Sequence, residues 1–353
     1  DIAYSIAQKW LKEGLQERCI TRDLKWGFPV PKKGFEDKVF YVWFDAPIGY
    51  IGITKQWADE QPATRDWKSW WLNASDVRYV EFMGKDNVPF HSISFPATLL
   101  GTGEKWTMVD YLKGMSYLTY EGGKFSKSEK RGIFAEDAVK EFPADYWRYW
   151  LMSNAPESSD SSFSFELFAT VINKDLNGVL GNFVSRVLKM TASKIGTTVP
   201  EGGETGTMEQ ELAANLQTHI DAYLKNMNDL EFRKALNELR AVWVEGNNYI
   251  TAAEPWTVIK TDAARAACIL RTCINLIRIF AVLSAPIMPQ TAENMLQRLG
   301  LSSDNMPSLK GFNAAQEMQA VKAGQPFEVG DLLFERITPE RVEELKQKYG
   351  SAN

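Results

Sequence analysis

Histidine and cysteine are scarce in this chain, whose 353 residues include two histidines and three cysteines. Cys19, Cys268 and Cys273 form no Cys-x-x-Cys pair, so the sequence predicts neither a zinc-binding motif nor a disulfide framework. Free thiols that serve as small core residues are typical of proteins in a reducing compartment. We therefore expect a cytoplasmic protein. No signal peptide is recognisable, and the longest apolar run, residues 274–285, contains Arg278. We therefore expect no membrane span and no membrane partner.

An overall excess of positive charge is also missing, because 45 acidic residues outweigh 40 basic ones and the net charge is −5. A nucleic-acid partner would therefore have to meet local basic patches. Two such patches can be read from the sequence: Lys124, Lys127, Lys130 and Arg131; and Lys174, Arg186, Lys189 and Lys194.

The residue pattern changes once along the chain, from mixed strand and helix signals to helix signals alone. The length of the chain favours two domains. Up to about Gly132, apolar runs at 39–44, 77–83 and 116–120 predict buried strands, and 90–100 predicts a helix kinked at Pro96. From about Ala135, periodic patterns predict helices over 145–154, 165–195, 208–227, 231–253, 262–283 and 290–299, with Ser164 as an N-cap and a linker at 196–206. We predict an α/β fold with a parallel sheet, followed by an antiparallel helical bundle.

The most informative stretch is Lys-Phe-Ser-Lys-Ser at residues 124–128, which follows Gly122 and Gly123. Two ammonium groups and two hydroxyls on a glycine-hinged loop can close over a polyphosphate and hold it. Taken alone, the same five residues fit a solvated basic turn equally well.

Several segments, in order along the chain, resemble methionyl-tRNA synthetases, a family of class I aminoacyl-tRNA synthetases. Residues 124–128 resemble the KMSKS signature, with Phe125 in place of Met. Residues 42–50 (VWFDAPIGY) resemble the family's methionine-pocket segment, and residues 84–91 (GKDNVPFH) resemble its substrate-binding strand end. Residues 181–186, 254–256 and 333–337 resemble the anticodon-facing helix, the Pro-Trp pair and the closing segment.

One expected signature is absent from the chain. The family's His-x-Gly-His motif has no counterpart, since His91 and His219 lie in other settings. We therefore expect a C-terminal portion of such an enzyme, without zinc and inactive alone. The domains expected are the second half of a Rossmann-like catalytic domain at 1–134, a connecting stem-contact segment at 135–172, and an anticodon-binding helical bundle with its tail at 173–353.

The resemblance implies a methionine–tRNA ligase, which activates methionine with ATP and Mg²⁺ and transfers it to methionine tRNA with its CAU anticodon. It assigns catalysis to Lys127, Lys124, Ser126 and Ser128, because a preorganised cation stabilises charge on the leaving pyrophosphate. It assigns ATP binding to Lys127, Gly84, Asp86 and Leu118. Methionine binding falls to Trp43, Pro47, Tyr50, Asn87 and His91, and anticodon binding to Asn182, Arg186 and Trp256.

Purely structural roles remain open for several of these residues. Asp86 can cap a helix, Trp43 and His91 can belong to a core, and Trp256 can pack between helices. Arg148 can serve either the acceptor stem or helix packing. Two other functions also remain open: a tRNA-binding module without catalysis, and a class I synthetase for leucine, valine or cysteine. The segments 46–50 and 89–91 speak against the latter.

Overall fold

The computed structural model describes residues 2–350 and divides them into two compact units. The first unit comprises the chain up to Tyr117 together with Pro156–Ser161. The second comprises Leu118–Ala155 and the chain from Ser162 onward.

The first unit is the mixed α/β part of the chain. Its elements are α1 (Ile2–Glu13), β1 (Thr21–Arg22), β2 (Val39–Phe40), α2 (Val42–Asp45), α3 (Ile48–Asp59), α4 (Lys68–Trp71), β3 (Val80–Gly84), α5 (Phe95–Gly101) and β4 (Tyr111–Met115). A 3₁₀ turn at Lys85–Asn87 and a π turn at Phe90–Ser94 lie between β3 and α5. The predicted parallel pairing with a helical crossover is confirmed: β3 and β4 run parallel, from Val80 opposite Tyr111 to Gly84 opposite Met115.

The prediction of a single buried strand over residues 39–44 is wrong. Only Val39–Phe40 is extended, in an antiparallel pair with β1, and the chain then turns into α2. Trp43 therefore sits on a short helix with 44% of its surface exposed. A short apolar run cannot be assigned to strand or helix from periodicity alone, and here local contacts decide.

The run 77–83 contributes β3 three residues later than predicted. The run 116–120 contains only the strand Leu118–Tyr120, which belongs to the second unit and pairs with Ser161–Phe163. The strand that pairs with β3 is β4, which lies outside the predicted runs. Pro96 lies in the first turn of α5, directly after the π turn. Because proline lacks an N–H, the wider π turn accommodates it where a regular helix would lose a hydrogen bond.

Apolar side chains remain exposed across the first unit, whose own core cluster is small and consists of Ile51, Trp71, Phe95 and Leu99. Trp26 is 89% exposed and Phe82, in the middle of β3, is 51% exposed. On the opposite face of the same strand, Glu81 is buried. Parallel sheets are normally covered on both faces, so the Phe82 face is an apolar surface suited to further packing.

The second unit is almost entirely helical. Its elements are β5 (Leu118–Tyr120), α6 (Ala135–Glu141), α7 (Ala144–Ser153), β6 (Ser161–Phe163), α8 (Phe165–Val171), α9 (Asn182–Lys194), α10 (Thr207–Asn228), α11 (Phe232–Ala253), α12 (Pro255–Val258), α13 (Ala263–Ser284), α14 (Pro289–Arg298), α15 (Ala314–Glu317) and α16 (Pro339–Tyr349). A π-helical stretch, Ile172–Gly181, joins α8 to α9, so residues 165–194 are helical throughout, as predicted. The Ser164 cap is also confirmed, since its hydroxyl accepts from the Leu167 N–H at 3.2 Å.

A single large apolar core holds the second unit together, and α13 lies at its centre. By length and composition alone α13 is apolar enough to cross a membrane, but 89% of its most apolar stretch is buried inside the protein. Cys268 and Cys273 are among its buried residues, as predicted for small core thiols. The stretch predicted as a linker packs on this helix as well, because Arg271 donates to the carbonyl oxygens of Pro200 and Gly202, both at 2.9 Å.

The exposed apolar surface of the first unit leads to a prediction about association. We expect the 353-residue chain to self-associate with rising concentration, and the double variant Trp26→Ser/Phe82→Ser to shift it toward monomer, because each aromatic ring contributes a large apolar area. Sedimentation velocity measures the distribution. Leu167→Ser, at a residue 51% exposed in the second unit, is the matched control and should leave association unchanged. A wild-type chain that stays monomeric over the full range would refute the prediction.

Candidate functional site

The residues assigned to methionine converge on the helical segment that follows β3. His91 lies in the π turn and is 8% exposed. Its Nδ1 lies 2.9 Å from the carbonyl oxygen of Asn87, and its Nε2 lies 2.9 Å from the hydroxyl of Tyr50. A carbonyl can only accept, so Nδ1 carries the proton, and in the neutral ring Nε2 accepts from Tyr50. Asn87 thus contributes its backbone, while its side chain is exposed.

Aromatic rings border this hydrogen-bonded pair. The ring of Trp43 meets that of Phe90 edge to face at 4.9 Å, and Tyr50 meets Phe95 edge to face at 6.5 Å. Pro47 is buried at the start of α3 and sets the direction of the helix that carries Tyr50. The alternative that Trp43 is an ordinary core residue is wrong, because nearly half of its surface is open.

A buried carboxylate near the pair was missed by the sequence analysis. Glu81 is 6% exposed, accepts a hydrogen bond from the Tyr79 hydroxyl, and has a second oxygen, Oε2, without a hydrogen-bond partner among the described residues. Burial raises the pKa of Glu81, while the Tyr79 hydrogen bond and the His91 ring oppose the rise. Burial, and after it the Glu81 charge, raises the pKa of Tyr50. The signal for Glu81 was a charged residue inside a run predicted to be a buried strand.

The residues assigned to ATP are divided between the units. Gly84 ends β3, and a Cβ built on it would meet no atom within 4 Å, so the backbone is open to close approach there. Asp86 follows inside the 3₁₀ turn and is exposed. The helix-cap alternative for Asp86 is wrong, since its carboxylate accepts from the Tyr117 hydroxyl instead. Leu118 opens β5 in the second unit.

Tyr117 and Asp160 complete the surroundings of Asp86, and sequence reasoning missed both. The hydrogen bond to Asp86 raises the pKa of Tyr117. Asp160 accepts from the Tyr117 N–H at 3.0 Å and pairs with Lys85 at 3.4 Å, and the former bond is the main cause of its lowered pKa. No spacing in the sequence links residues 86, 117 and 160, because the fold alone brings them together.

The lysine loop, residues 124–131, is a hairpin rooted by an aromatic ring. Ser126 and Arg131 exchange backbone hydrogen bonds of 3.0 and 2.8 Å. Phe125 packs against Tyr120 and Phe134, with ring centroids 5.6 and 6.2 Å apart. Phe125, which replaces the Met of the signature, therefore acts as the apolar root of the loop.

The polar side chains of the loop face outward. Lys124, Lys127 and Ser128 are exposed, and the Ser126 hydroxyl lies 3.2 Å from that of Ser128. The Lys127 ammonium rests over the Phe134 ring at 5.4 Å from its centroid. Among residues 2–350, no carboxylate lies within salt-bridge distance of Lys124 or Lys127. Both cations are thus available to an anionic ligand.

The residues assigned to the anticodon meet at one end of α9. Asn182 begins α9, and Arg186 follows one turn later on the same face. The Arg186 guanidinium stacks over the ring of Trp256 at 4.7 Å, and Trp256 is 36% exposed in the first turn of α12 after Pro255, as predicted. A partly exposed indole with a guanidinium on it is a platform on which an unstacked base can lie.

Two other residues bond within the protein. Arg148 donates to the carbonyl oxygens of Ile287 and Pro286 at 2.6 and 2.9 Å, so it fixes the turn between α13 and α14. His219 is half-buried on α10 and lies 2.7 Å from Glu238. Within residues 2–350, no group of three or more His, Cys, Asp or Glu side chains is arranged to hold a metal ion.

Comparisons with known proteins identify the family. Residues 2–188 match the family model described as tRNA synthetases class I (M), and residues 199–353 match that of the anticodon binding domain of methionyl tRNA ligase. Two curated relatives named methionine–tRNA ligase are from Cereibacter sphaeroides, 51% identical over 98% of this chain, and Streptomyces avermitilis, 49% identical over 99%. The chain spans 62% of the length of each.

A comparison with solved structures also points to this family. Methionyl-tRNA synthetase from Mycobacterium tuberculosis, in complex with methionyl-adenylate, superposes with a TM-score of 0.79 at 25% identity, covering 95% of this chain and 64% of that one. The chain therefore belongs to the class I tRNA synthetases of the methionyl type, with part of the catalytic fold followed by the helical anticodon-binding domain.

Proposed function

We propose that this chain is the part of a methionine–tRNA ligase that contributes one side of the methionine site, the phosphate-binding loop and the anticodon-reading surface. The enzyme joins methionine to ATP as methionyl-adenylate, releases pyrophosphate, and passes the methionyl group to methionine tRNA. The observation that carries the proposal is the lysine loop, which exposes two ammonium groups that form no ion pair within residues 2–350, on a fixed aromatic root. The names of the relatives support methionine over leucine, valine or cysteine.

Adenylate formation breaks the bond between the α- and β-phosphates when the methionine carboxylate attacks the α-phosphate, and negative charge builds on the leaving pyrophosphate. Lys127 neutralises that charge, with Lys124 and the Ser126 and Ser128 hydroxyls supporting it. Mg²⁺ enters with ATP, because this ion keeps several waters and binds mainly through substrate phosphates. Gly84 lets the nucleotide approach the end of β3, and Asp86, held by Tyr117, accepts from ribose hydroxyls.

Methionine is recognised by shape and by its polarizable sulfur. Trp43 and Tyr50 supply aromatic walls, which favour thioether sulfur, and the Tyr50–His91 pair supplies the polar end. Asn87 holds the His91 ring through its carbonyl oxygen.

The second unit reads the tRNA with Asn182, Arg186 and Trp256, and the CAU anticodon is the sequence read. We place the domain boundaries at 1–134, 135–172 and 173–353, the middle segment being the stem-contact region. The free thiols, exposed at Cys19 and buried at Cys268 and Cys273, fit a reducing compartment, and we propose the cytoplasm.

Replacing Lys127 by Ala in the enzyme at the full length of its relatives should slow adenylate formation by about a hundred- to a thousand-fold, the effect of losing one transition-state donor. The KM for methionine should not move, because the lysine acts on phosphates. Single-turnover kinetics of the first step provide the measurement. Lys130→Asn removes a charge from the same loop, suits the backbone φ of 52° there, and is the control expected to have a small effect. An unchanged chemical step in Lys127→Ala would remove this residue from its role.

The Tyr50→Phe variant tests the methionine site. It removes the hydroxyl that bonds to His91, and the KM for methionine should rise about two- to tenfold, as expected for one hydrogen bond of about 0.5–1.5 kcal/mol. The KM for ATP should stay the same, and Tyr4→Phe, at a residue 66% exposed on α1, should change neither constant. Steady-state ATP–pyrophosphate exchange gives both values. Equal KM values for methionine in Tyr50→Phe and the wild type would contradict the placement of Tyr50 in the methionine site.

The variant Trp256→Ala tests the reading of the anticodon. Loss of a stacking ring should weaken tRNA binding by roughly 1–3 kcal/mol and abolish most of the preference for CAU over an altered anticodon. Activation of methionine without tRNA should be unaffected, and Trp256→Phe, which keeps a ring, should retain most of the preference. Filter binding with the two tRNAs measures the effect, alongside thermal melting. A lowered melting temperature with unchanged discrimination would show instead that Trp256 only packs.

A further inference from the structure

The C-terminal helix α16 ends at the base of the lysine loop. The carbonyl oxygen of Tyr349, in the last turn of α16, accepts a hydrogen bond of 3.0 Å from the N–H of Gly132. The last carbonyls of a helix have no partner within the helix, so this bond satisfies a group that the helix leaves open. Gly132 is the first residue after the hairpin and thus its C-terminal hinge.

Gly132 is a position where the backbone has little freedom. Its φ is +93°, a value that residues other than glycine rarely adopt, and a Cβ there would collide with the ring of Phe125. The hinge is therefore confined on one side by the loop's own root and held on the other by α16. Displacing α16 would release the second of these two restraints.

A buried carboxylate fastens the end of α16. Glu141, the last residue of α6, has a side chain only 7% exposed and accepts from Lys348 at 2.6 Å and from Tyr349 at 2.5 Å. Arg341, in the first turn of α16, donates to the other carboxylate oxygen of Glu141 at 2.5 Å. Lys348 foremost, then Tyr349, holds the pKa of Glu141 down to about 2, so the carboxylate stays ionised at neutral pH.

Further contacts show that α16 is a docked element along its whole length. Lys346 pairs with Glu166 at 2.6 Å, Leu345 is 1% exposed, and the Tyr349 ring lies 6.1 Å from that of Phe165. The chain leading into the helix is fixed as well, because Asn173 exchanges hydrogen bonds of 2.7 and 2.9 Å with the backbone of Ile337.

We propose that α16 positions the lysine loop for catalysis, with Tyr349 holding the Gly132 hinge and Glu141 holding Tyr349. Tyr349 and Glu141 do not touch substrate; both are positioning residues that act through the loop. The inference rests on the proposed function of the loop. Its consequence is that damage to the Glu141 contacts frees the loop without altering the methionine site.

Trypsin supplies a readout of the loop that does not depend on activity, because the loop contains Lys124, Lys127, Lys130 and Arg131. Glu141→Gln and Tyr349→Phe in the 353-residue chain should speed native-state cleavage after these residues about tenfold, the factor for losing one hydrogen bond to a charged group. Glu343→Gln is the matched control on the same helix, at an exposed residue that accepts a hydrogen bond of 3.2 Å from Gln347 and has no other hydrogen-bond partner within residues 2–350, and it should leave cleavage unchanged. Mass spectrometry assigns the sites.

Cleavage that rises equally within the loop and at the bundle sites Lys225 and Lys234 would overturn the proposal, because it would mark a general loss of stability. Unchanged loop cleavage in both variants would overturn it as well. A rise confined to the loop supports it.

Kinetics of the full-length enzyme complete the test. Glu141→Gln should lower the rate of adenylate formation or raise the KM for ATP about tenfold, with the KM for methionine unchanged. If Lys127→Ala slows the step but Glu141→Gln does not, the positioning role is refuted while the function of the loop stands. If Lys127→Ala has no effect, the proposed function itself fails.

Discussion

The lysine loop depends on one packing constraint at its root, the insertion of Phe125 between Tyr120 and Phe134. This ring leaves no room for a side chain at Gly132, and the backbone hydrogen bonds between Ser126 and Arg131 close the hairpin above it. With Phe125 packed at the root, the side chains of Lys124 and Lys127 face solvent. The helix α16 then holds the same hinge from outside, so the lysine loop and α16 share one hydrogen bond.

The two units offer different chemistry for the ligands that we propose for them. The first unit, proposed to bind methionine, offers aromatic rings and the hydrogen-bonded pair Tyr50 and His91. The second unit, proposed to bind phosphates and an RNA loop, offers cations on a loop and a guanidinium stacked on Trp256. This division explains how a chain with a net charge of −5 can serve an anionic partner: the basic groups are local.

Sequence patterns predicted the helical half well, because its long amphipathic repeats, the Ser164 cap and the Pro255 start are local signals. They failed over residues 39–44, where a short aromatic run forms a strand and a helix. The resemblance located the candidate residues but not their partners. Tyr117, Asp160 and Glu81 gained their contacts only through the fold, and the bond from Gly132 to Tyr349 joins residues 217 positions apart, which no local pattern can predict.

The central claim is that the lysine loop has a fixed root and becomes ordered when substrates bind. Hydrogen exchange across residues 120–134 tests this claim most directly. The account predicts that the Gly132 amide exchanges slowly in the free enzyme and in the presence of ATP and methionine, because its N–H donates to the Tyr349 carbonyl oxygen in both states. The amides of residues 127–130 should exchange fast in the free enzyme and slow markedly when both substrates are present. Fast exchange at Gly132, or loop amides indifferent to ATP, would contradict the account.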